Sequence, residues 1–304
     1  MSAASAIRES AAVAAARRDG RPVVALESSV LAQGLPAPAN REAHRRMLDA
    51  VSAAGAVPAI TAVVRGVPTV GLEGDALERF LTRDGVHKVA ARDLAIAVAM
   101  QWDGATTVSG SLALCTAAGL GVFATGGIGG VHRESPFDES ADLLELSRSP
   151  VAVVCAGAKS ILDLPATLER LETYGVTVVG YRTGEFPGFF VAETGLPLSV
   201  RVDEVRELAA VVRSARALRR PGAVLIVQPV PAADAVDGDE IDAAVERAVA
   251  AARAARVRGA ALTPYLLAAV EQATGGRSLV ANLALLEANA GLAAELALAL
   301  AVTP

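Results

Sequence analysis

The amino-acid sequence predicts an α/β fold with three layers, α/β/α, built around a mostly parallel central sheet. Short runs of β-branched and small apolar residues alternate along the chain with longer segments of helical periodicity, which is the pattern of parallel α/β proteins. The apolar runs are continuous rather than alternating, as in strands that are buried on both faces. The chain has 304 residues, 53% of them hydrophobic, and it shows no internal repeat and no long linker. Residues 1–304 are therefore expected to form a single domain with a large core.

Caps, turn residues and apolar runs define the elements of the first half of the chain. Asn40 is expected to cap the second helix, and Gly66 to separate the two strands of a hairpin. The predicted elements are a helix over Ala4–Arg18, a strand over Pro22–Leu26, a helix over Arg41–Ala54, a hairpin of Val57–Arg65 with Val67–Leu72, a short helix ending at Thr82, a helix ending at Gln101, a strand or turn over Ala105–Ser111, a helix ending at Ala118 and a strand over Gly121–Ala124.

The same signals continue through the second half. Ser140 or Asp142 is expected to cap a helix, and Asp163 with Pro165 to open the next one. The predicted elements are a helix ending at Leu146, a strand beginning at Val151, a helix ending at Thr173, a strand over Val176–Tyr181, a candidate strand over Phe189–Ala192, a helix from Asp203 to Leu218, a strand over Ala223–Pro229, a helix over Asp239–Arg256, a helix beginning at Thr263-Pro264 and a final helix after Thr274–Ser278.

Composition and charge limit the classes of function. The net charge of −5 argues against binding to a nucleic acid polymer, which requires a basic surface. Two cysteines, Cys115 and Cys155, stand in apolar contexts and favour a reducing cytoplasm over a disulfide scaffold. Residues 1–20 lack the apolar core of a signal peptide, and no uncharged apolar run approaches the roughly 18 residues that span a bilayer. Because Glu295 interrupts the Ala/Leu tract after Ala290, that tract is interpreted as a buried helix. We therefore expect a cytoplasmic protein without a membrane partner.

The segment Val151–Ser160, VAVVCAGAKS, carries the most suggestive single residue. Its apolar run predicts a strand that is buried on both faces, and Lys159 follows where that strand should reach the edge of the sheet. Apolar surroundings disfavour an ammonium ion, so the amine would be available as a nucleophile. The segment alone favours the alternative of an ordinary lysine in a strand-to-helix loop.

Glu27 and Lys88 also end or interrupt apolar elements. Glu27 directly follows a predicted buried strand, where open α/β sheets place their chemistry, and it could act as a general acid or base. A cap or an ion-pair residue is the alternative. Lys88 with Arg92 could bind a phosphate, and the alternative is a solvated helix start.

Asp138 and Asn282 are the remaining polar candidates. Asp138, with Glu139 and Asp142, could hold a hard divalent ion through one carboxylate and several waters. The alternative is a solvated acidic loop with a helix cap. Asn282 in an apolar helix is either a satisfied core amide or a ligand contact. The sequence has neither Cys/His spacing for zinc nor a Gly-x-Ser-x-Gly elbow.

The glycine-rich loop from Thr125 to Gly130 predicts an anion nest, because its glycines would let several N–H groups point at one spot. With Lys88 it is the predicted phosphate site, to which Thr125, Gly126 and Gly127 are assigned. A tight loop without a ligand is the alternative, since the spacing is not that of a dinucleotide site or a P-loop. His132, the only histidine next to the loop, is placed with the substrate-binding residues.

Three longer motifs resemble pseudouridine-5′-phosphate glycosidase, a family also described as indigoidine synthase A-like. The resemblance runs from about Val23 to about Ala290 and includes further matches at GLP after Gln33, at Lys88 with RDL, at Thr263-Pro264 and at GGRSL near residue 277. The motifs that carry it are LESS at 26–29, FATGGIGGVHR at 123–133 and VCAGAKSILD at 154–163. In this sequence the stretch between Arg133 and Phe137 is one or two residues shorter than the family pattern.

The resemblance implies a homotrimeric α/β/α enzyme with one Mn²⁺ per subunit, which reversibly cleaves pseudouridine 5′-phosphate to uracil and ribose 5-phosphate. Glu27 would be the proton donor, Lys159 the nucleophile and Asp138 the metal ligand. The residues implied to contact the substrate are Lys88, Val108, Ser140, Ala141 and Asp142, and Asn282 would lie in the site.

The glycosidic bond of pseudouridine joins two carbons, so the two-carboxylate route of O-glycosidases fits poorly. The resemblance suggests instead that Glu27 protonates the ribose ring oxygen while the Lys159 amine bonds to C1′. Two other functions stay open at this point: another lysine Schiff-base sugar-phosphate lyase, and a non-catalytic nucleotide- or phosphate-binding module. Release of uracil would distinguish the glycosidase from both.

Overall fold

The computed structural model describes residues 7–133, 138–257 and 262–302. Its strands are β1 Arg8–Glu9, β2 Val23–Glu27, β3 Val57–Val64, β4 Val67–Val70, β5 Val86–Val89, β6 Asp103–Thr106, β7 Val122–Ala124, β8 Val131–His132, β9 Ala152–Cys155, β10 Leu162–Asp163, β11 Thr177–Tyr181, β12 Arg201–Val202 and β13 Val224–Val227. Its α-helices are α1 Ala11–Arg18, α2 Ala39–Ala53, α3 Gly74–Thr82, α4 Leu94–Ala99, α5 Val108–Ala118, α6 Ala141–Leu146, α7 Leu164–Thr173, α8 Val205–Ala217, α9 Gly238–Ala254, α10 Leu262–Ala273 and α11 Arg277–Ala301.

An 11-stranded sheet forms the middle layer, and helices flank it as the sequence predicts. Its main path runs β1-β4-β3-β2-β7-β9-β13-β11-β12, and β6 joins at β3 and carries β5. Neighbouring strands pair in parallel except where β3 meets β4 and β6. The central strands are buried along their whole length, β9 and β13 without exception. This burial explains why they read as continuous apolar runs.

The order of the strands brings the predicted catalytic residues to one edge. Adjacent strands β2, β7 and β9 run parallel, so their carboxyl ends lie side by side. Glu27 ends β2, Thr125 follows β7, and Lys159 lies four residues beyond the end of β9. Strand β6 runs antiparallel to β3, so its carboxyl end lies beside Thr61, near the carboxyl end of β2. There Thr106 Oγ1 lies 2.9 Å from Thr61 Oγ1, and Thr61 pairs with Glu27.

Helix α11 packs against α2, α8 and the sheet strands β2, β7 and β9. Its 25 residues are long and apolar enough to cross a membrane by length and composition. Half of its most apolar window is buried inside the protein, as expected for a core helix. Asn289 joins this helix to the sheet, since its Nδ2 donates to the carbonyls of Thr125 (2.8 Å) and Gly126 (3.2 Å).

Several local predictions are confirmed and others are wrong. Asp163 caps α7, and its carboxylate accepts the amide of Ala166 at 3.0 Å. Asn40 does not cap α2. It is the second residue of the helix, behind Pro38 at the cap position, and its buried Nδ2 donates to the carbonyls of Leu31 and Leu81 at 3.0 and 2.9 Å.

Two further predictions differ from the structure. The predicted strand Phe189–Ala192 is a turn, in which Phe189 has a positive φ of 66° that no strand accommodates. The first helix starts at Ala11 rather than Ala4, because Ser10 caps it after β1. Residues 1–6, 134–137, 258–261 and 303–304 lie outside the described residues, and they include the predicted start of the first helix and the shortened stretch after Arg133.

Candidate active site

One cavity of about 340 Å³ lies at the carboxyl edge of β2, β7 and β9. Its volume is in the range of sites for small ligands. All of the predicted site residues line it, although they come from widely separated parts of the chain. They are Glu27, Lys88, Val108, Thr125, Gly126, Gly127, His132, Asp138, Ser140, Ala141, Asp142, Lys159 and Asn282.

Glu27 is 8% exposed, and its carboxylate accepts two hydroxyl hydrogen bonds. Ser29 Oγ donates to Oε1 and Thr125 Oγ1 donates to Oε2, both at 2.8 Å. Burial raises the pKa of Glu27, while nearby Lys159 and the two hydroxyls partly oppose this change. A carboxyl with a raised pKa holds its proton closer to neutral pH, which suits a general acid. The alternative interpretation of Glu27 as a helix cap or surface ion-pair residue does not fit this environment.

Lys159 is half-buried, and its Nζ donates to the carbonyl oxygen of Gly127 at 2.9 Å. This hydrogen bond directs the amine into the cavity wall beside the glycine-rich loop. Cys155, the other nucleophilic side chain of this segment, is fully buried, and burial raises the pKa of its thiol to about 12. Since the thiolate is the reactive form, Lys159 is the usable nucleophile of the segment.

Two further basic side chains, Lys88 and His132, interact electrostatically with Lys159. The pKa of Lys88 is lowered, first by the protein that surrounds it in the cavity and then by Lys159, while Asp142 and Glu27 oppose the change. Much of the Lys88 surface remains accessible to solvent at the mouth of the cavity. Burial also lowers the pKa of His132, against the opposing effect of Asp138. The cavity therefore brings two lysines and a histidine together, and the lysines suit an anionic substrate.

The predicted anion nest in the loop Thr125–Gly130 is wrong. The amides of Thr125 and Ile128 donate to backbone carbonyls at 3.0 Å, and the amide of Gly129 donates to the Asp142 carboxylate at 2.9 Å. None of the loop's glycines has the positive φ of a nest.

These glycines serve close packing instead. A Cβ at Gly127 would lie 2.6 Å from the ring of Phe189, and one at Gly129 would lie 2.3 Å from Ser140 Oγ. Gly126 and Gly127 still line the cavity, so their contact with a substrate stays a prediction.

Asp142 links two walls of the cavity. It is 5% exposed, its Oδ1 accepts the amide of Ser109 at 2.9 Å, and its Oδ2 accepts the amide of Gly129 at 2.9 Å. Ser140, not Asp142, caps α6. The carboxylate of Asp142 thus positions the start of α5 relative to the glycine-rich loop.

The donor set around Asp138 fits a divalent ion that is held mainly by water. The described residues contain no group of three or more His, Cys, Asp or Glu side chains placed to share a metal. Glu139 is paired with Arg170 at 2.7 Å, and both oxygens of Asp142 are occupied by backbone amides. Asp138 is exposed on the cavity wall, so it can supply one carboxylate oxygen to a hydrated ion such as Mn²⁺.

Sequence reasoning missed several residues that line the cavity. Ser29 lies two residues after Glu27 and orients its carboxylate through a hydrogen bond. A hydroxyl so close in sequence to a carboxylate at the end of a strand could have predicted this contact. Gln33, Phe189 and Leu267 gave no such signal, because only the tertiary fold brings them to the cavity.

A family model described as indigoidine synthase A like protein matches residues 12–299. The chain belongs to this family. Among its relatives is the pseudouridine-5′-phosphate glycosidase of Gemmatimonas aurantiaca, which is 63% identical over 293 residues that cover 96% of each chain. The protein of the same name from Herpetosiphon aurantiacus is 51% identical and covers 95% of this chain and 96% of its own.

Solved structures of family members share the fold. Prealnumycin C-glycosynthase AlnA, whose structure is a complex with ribulose 5-phosphate, superimposes with a TM-score of 0.89 and 40% identity over 97% of both chains. An indigoidine synthase A-like protein from Thermotoga maritima gives a TM-score of 0.89 at 36% identity over 97% of both chains. The fold predicted from the sequence is therefore confirmed.

Proposed function

We propose that this protein is a pseudouridine-5′-phosphate glycosidase, which reversibly cleaves the C–C glycosidic bond of pseudouridine 5′-phosphate to uracil and ribose 5-phosphate. The observation that carries the proposal is the pairing in one cavity of a buried carboxyl with a raised pKa, Glu27, and an amine, Lys159. The curated relatives bear this name at up to 63% identity over nearly the whole chain. The structural relative AlnA also supports the proposal, because it is named a C-glycosynthase and its structure contains a pentose phosphate, ribulose 5-phosphate.

In the first step, Glu27 gives its proton to the ring oxygen of the ribose. The amine of Lys159 bonds to C1′ as the bond from C1′ to the ring oxygen breaks. The nitrogen then loses one proton to water, so a ring-opened sugar remains on the lysine through a neutral secondary amine. Burial of Glu27 raises its pKa and so favours the protonated form that donates to the ring oxygen. Ser29 and Thr125 then stabilise the carboxylate that forms, because both hydroxyls donate to it.

In the second step, a proton from water adds to C5 of the base and the C1′–C5 bond breaks. The bonding pair passes into the base and restores uracil, while the nitrogen lone pair forms a C=N⁺ bond to C1′. Water adds to this iminium, which releases ribose 5-phosphate and regenerates Lys159 as a free amine. The net reaction consumes one water molecule for each glycosidic bond.

The cationic groups at the mouth of the cavity are proposed to hold the 5′-phosphate. Lys88 is the main candidate, since it lines the cavity and its side chain is exposed at the mouth. A lysine ammonium and a phosphate form charge-assisted hydrogen bonds. Asp138 is proposed to hold Mn²⁺ through water, and the ion would supply positive charge and ordered water to the cavity.

The family resemblance also suggests three further properties, which we likewise propose. They are a homotrimer, a cytoplasmic location and one Mn²⁺ per subunit. Sedimentation equilibrium tests the first, with an expected mass three times that of the 30.8 kDa chain.

Uracil release from pseudouridine 5′-phosphate, followed by absorbance with and without a chelator, tests the proposed reaction. We expect equal amounts of uracil and ribose 5-phosphate from the wild type and none from Glu27→Ala. Sugar turnover without uracil would instead favour another lysine Schiff-base lyase. No turnover at all would favour a non-catalytic binding module.

A further inference from the structure

The chain turns directly after Lys159, and residues 159–162, the Lys159 turn, carry the backbone from which the amine extends. The amide of Leu162 donates to the carbonyl of Lys159 at 3.0 Å, which closes a β-turn. Leu162 then pairs with His132 in the two-stranded sheet of β8 and β10. Ser160 and Leu162 are 3% and 2% exposed, so their backbone carbonyls need donors from within the protein.

Arg133, the residue after β8, supplies such donors. Its Nε donates to the carbonyl of Leu162 at 3.1 Å, and its Nη2 donates to the carbonyl of Ser160 at 3.2 Å. Nη2 also donates to Oδ1 of Asp242 on α9 at 3.0 Å. A guanidinium presents its donors in a rigid planar fork, so one side chain can hold both carbonyls, whereas a lysine carries a point charge on a flexible stem. Arg133 thus bridges the Lys159 turn and α9.

Arg133 lies outside the active-site cavity, although its neighbour His132 lines it. The guanidinium is paired with the Asp242 carboxylate, which is 64% exposed, rather than with a group of the site. Its effect on a reaction in the cavity therefore passes through the main chain of the Lys159 turn. A displacement of about 1 Å in a reacting group can lower a rate about 100-fold, so the placement of this turn matters for catalysis.

We propose that Arg133 is a positioning residue, which holds the Lys159 turn and thereby sets the point from which the amine reaches C1′. This inference rests on the proposed function. Without the guanidinium, two buried carbonyls lose donors, and the turn moves toward water that can replace them. The turn stays folded, because Ser160 Oγ still donates to the carbonyl of Gly188 at 2.5 Å. Lys159 is then displaced, while the groups that bind the substrate keep their places.

Substitution of Arg133 separates positioning from charge and from substrate binding. We would measure kcat and KM for uracil release in the wild type, Arg133→Met and Arg133→Lys. Arg133→Met should lower kcat about 10- to 100-fold and keep KM within about threefold of the wild type. Arg133→Lys keeps the charge without the fork, so its kcat should stay at least about fivefold below the wild type. The pH profiles of all three should have the same limbs, because the charge of Arg133 is paired with Asp242.

Arg79→Met is the matched control, since the Arg79 side chain has the same exposed fraction as that of Arg133, 28%, and is ion-paired as well. Its partner at 2.7 Å is Asp103, which begins β6 at the end opposite the catalytic edge. Arg79→Met should keep kcat within about twofold of the wild type even where it lowers stability. Asp242→Asn leaves both carbonyl bonds of Arg133 in place and should keep kcat within about threefold, because exposed ion pairs contribute little.

Amide hydrogen exchange tests the anchor independently of activity. The amide of Leu162 closes the Lys159 turn, so its exchange should become at least about tenfold faster in Arg133→Met and stay unchanged in Arg79→Met. Arg133→Lys should also speed this exchange, and it carries the test where Arg133→Met does not fold.

Unchanged exchange at Leu162 in the Arg133 variants would overturn the inference, and so would a kcat of Arg133→Met within about threefold of the wild type. Wild-type kcat in Arg133→Lys would assign the effect to charge and would overturn it as well. A wild type that releases no uracil would instead refute the proposed function, and the role in positioning a nucleophile with it, even where exchange at Leu162 still shows the anchor.

Discussion

Asp142→Asn should destabilise the protein, because the Asp142 carboxylate holds two buried amides at once. Its oxygens lie 2.9 Å from the amide nitrogens of Ser109 and Gly129. Asparagine offers only one oxygen, and its NH₂ group would face the other N–H. One buried donor then loses its partner, which costs about 1–3 kcal/mol. The remaining bond loses the contribution of the charge, so the total is about 2–4 kcal/mol.

Urea unfolding of the metal-free protein gives this difference in the free energy of unfolding, and an unchanged m-value would show that the folded state is otherwise intact. Asp138→Asn is the control, since Asp138 is exposed at the same cavity and should change stability by less than about 0.5 kcal/mol. Amide hydrogen exchange should become faster at Ser109 and Gly129 in Asp142→Asn. A stability within about 0.5 kcal/mol of the wild type would refute the role of Asp142 as an anchor.

Two further predictions concern the acid and the metal. Ser29→Ala removes a hydrogen bond that favours ionised Glu27, so the pKa of Glu27 should rise further. Because the reaction needs Glu27 protonated, activity is lost as pH rises through this pKa, and the alkaline limb of kcat/KM should move to higher pH in Ser29→Ala. Ser28→Ala, whose hydroxyl bonds Thr106 rather than Glu27, should leave that limb in place, and equal profiles for both variants would contradict the assignment. Asp138→Asn should weaken Mn²⁺ binding at least tenfold by calorimetry, whereas unchanged affinity would place the metal elsewhere.

The sequence predicted the sheet and its catalytic edge well, because both follow from local patterns. A continuous apolar run that ends in a polar residue locates Glu27 and the Lys159 segment, and parallel strand order then brings the two together. Asp163 with Pro165 is a local signal as well, and it correctly opens α7.

The errors came from residues whose partners are distant in the chain. Asn40 is a residue type that favours caps, but α2 begins one residue earlier and Asn40 instead joins the helix to Leu31 and Leu81 through its NH₂ group. The loop Thr125–Gly130 has the composition of an anion nest, but its glycines make room for Phe189 and for Ser140. The hydrogen bonds from Arg133 to Ser160 and Leu162 are visible only once the fold has brought the two segments together.

Trapping of the sugar on Lys159 is the most direct test of the central claim. Wild-type protein that turns over pseudouridine 5′-phosphate in the presence of borohydride should lose activity and gain the mass of one reduced pentose 5-phosphate. Peptide mapping should place this mass on Lys159, and Lys159→Ala should gain no mass and release no uracil while its circular dichroism stays that of the wild type. Uracil release by Lys159→Ala at a rate near that of the wild type, or an adduct on another residue, would contradict the account.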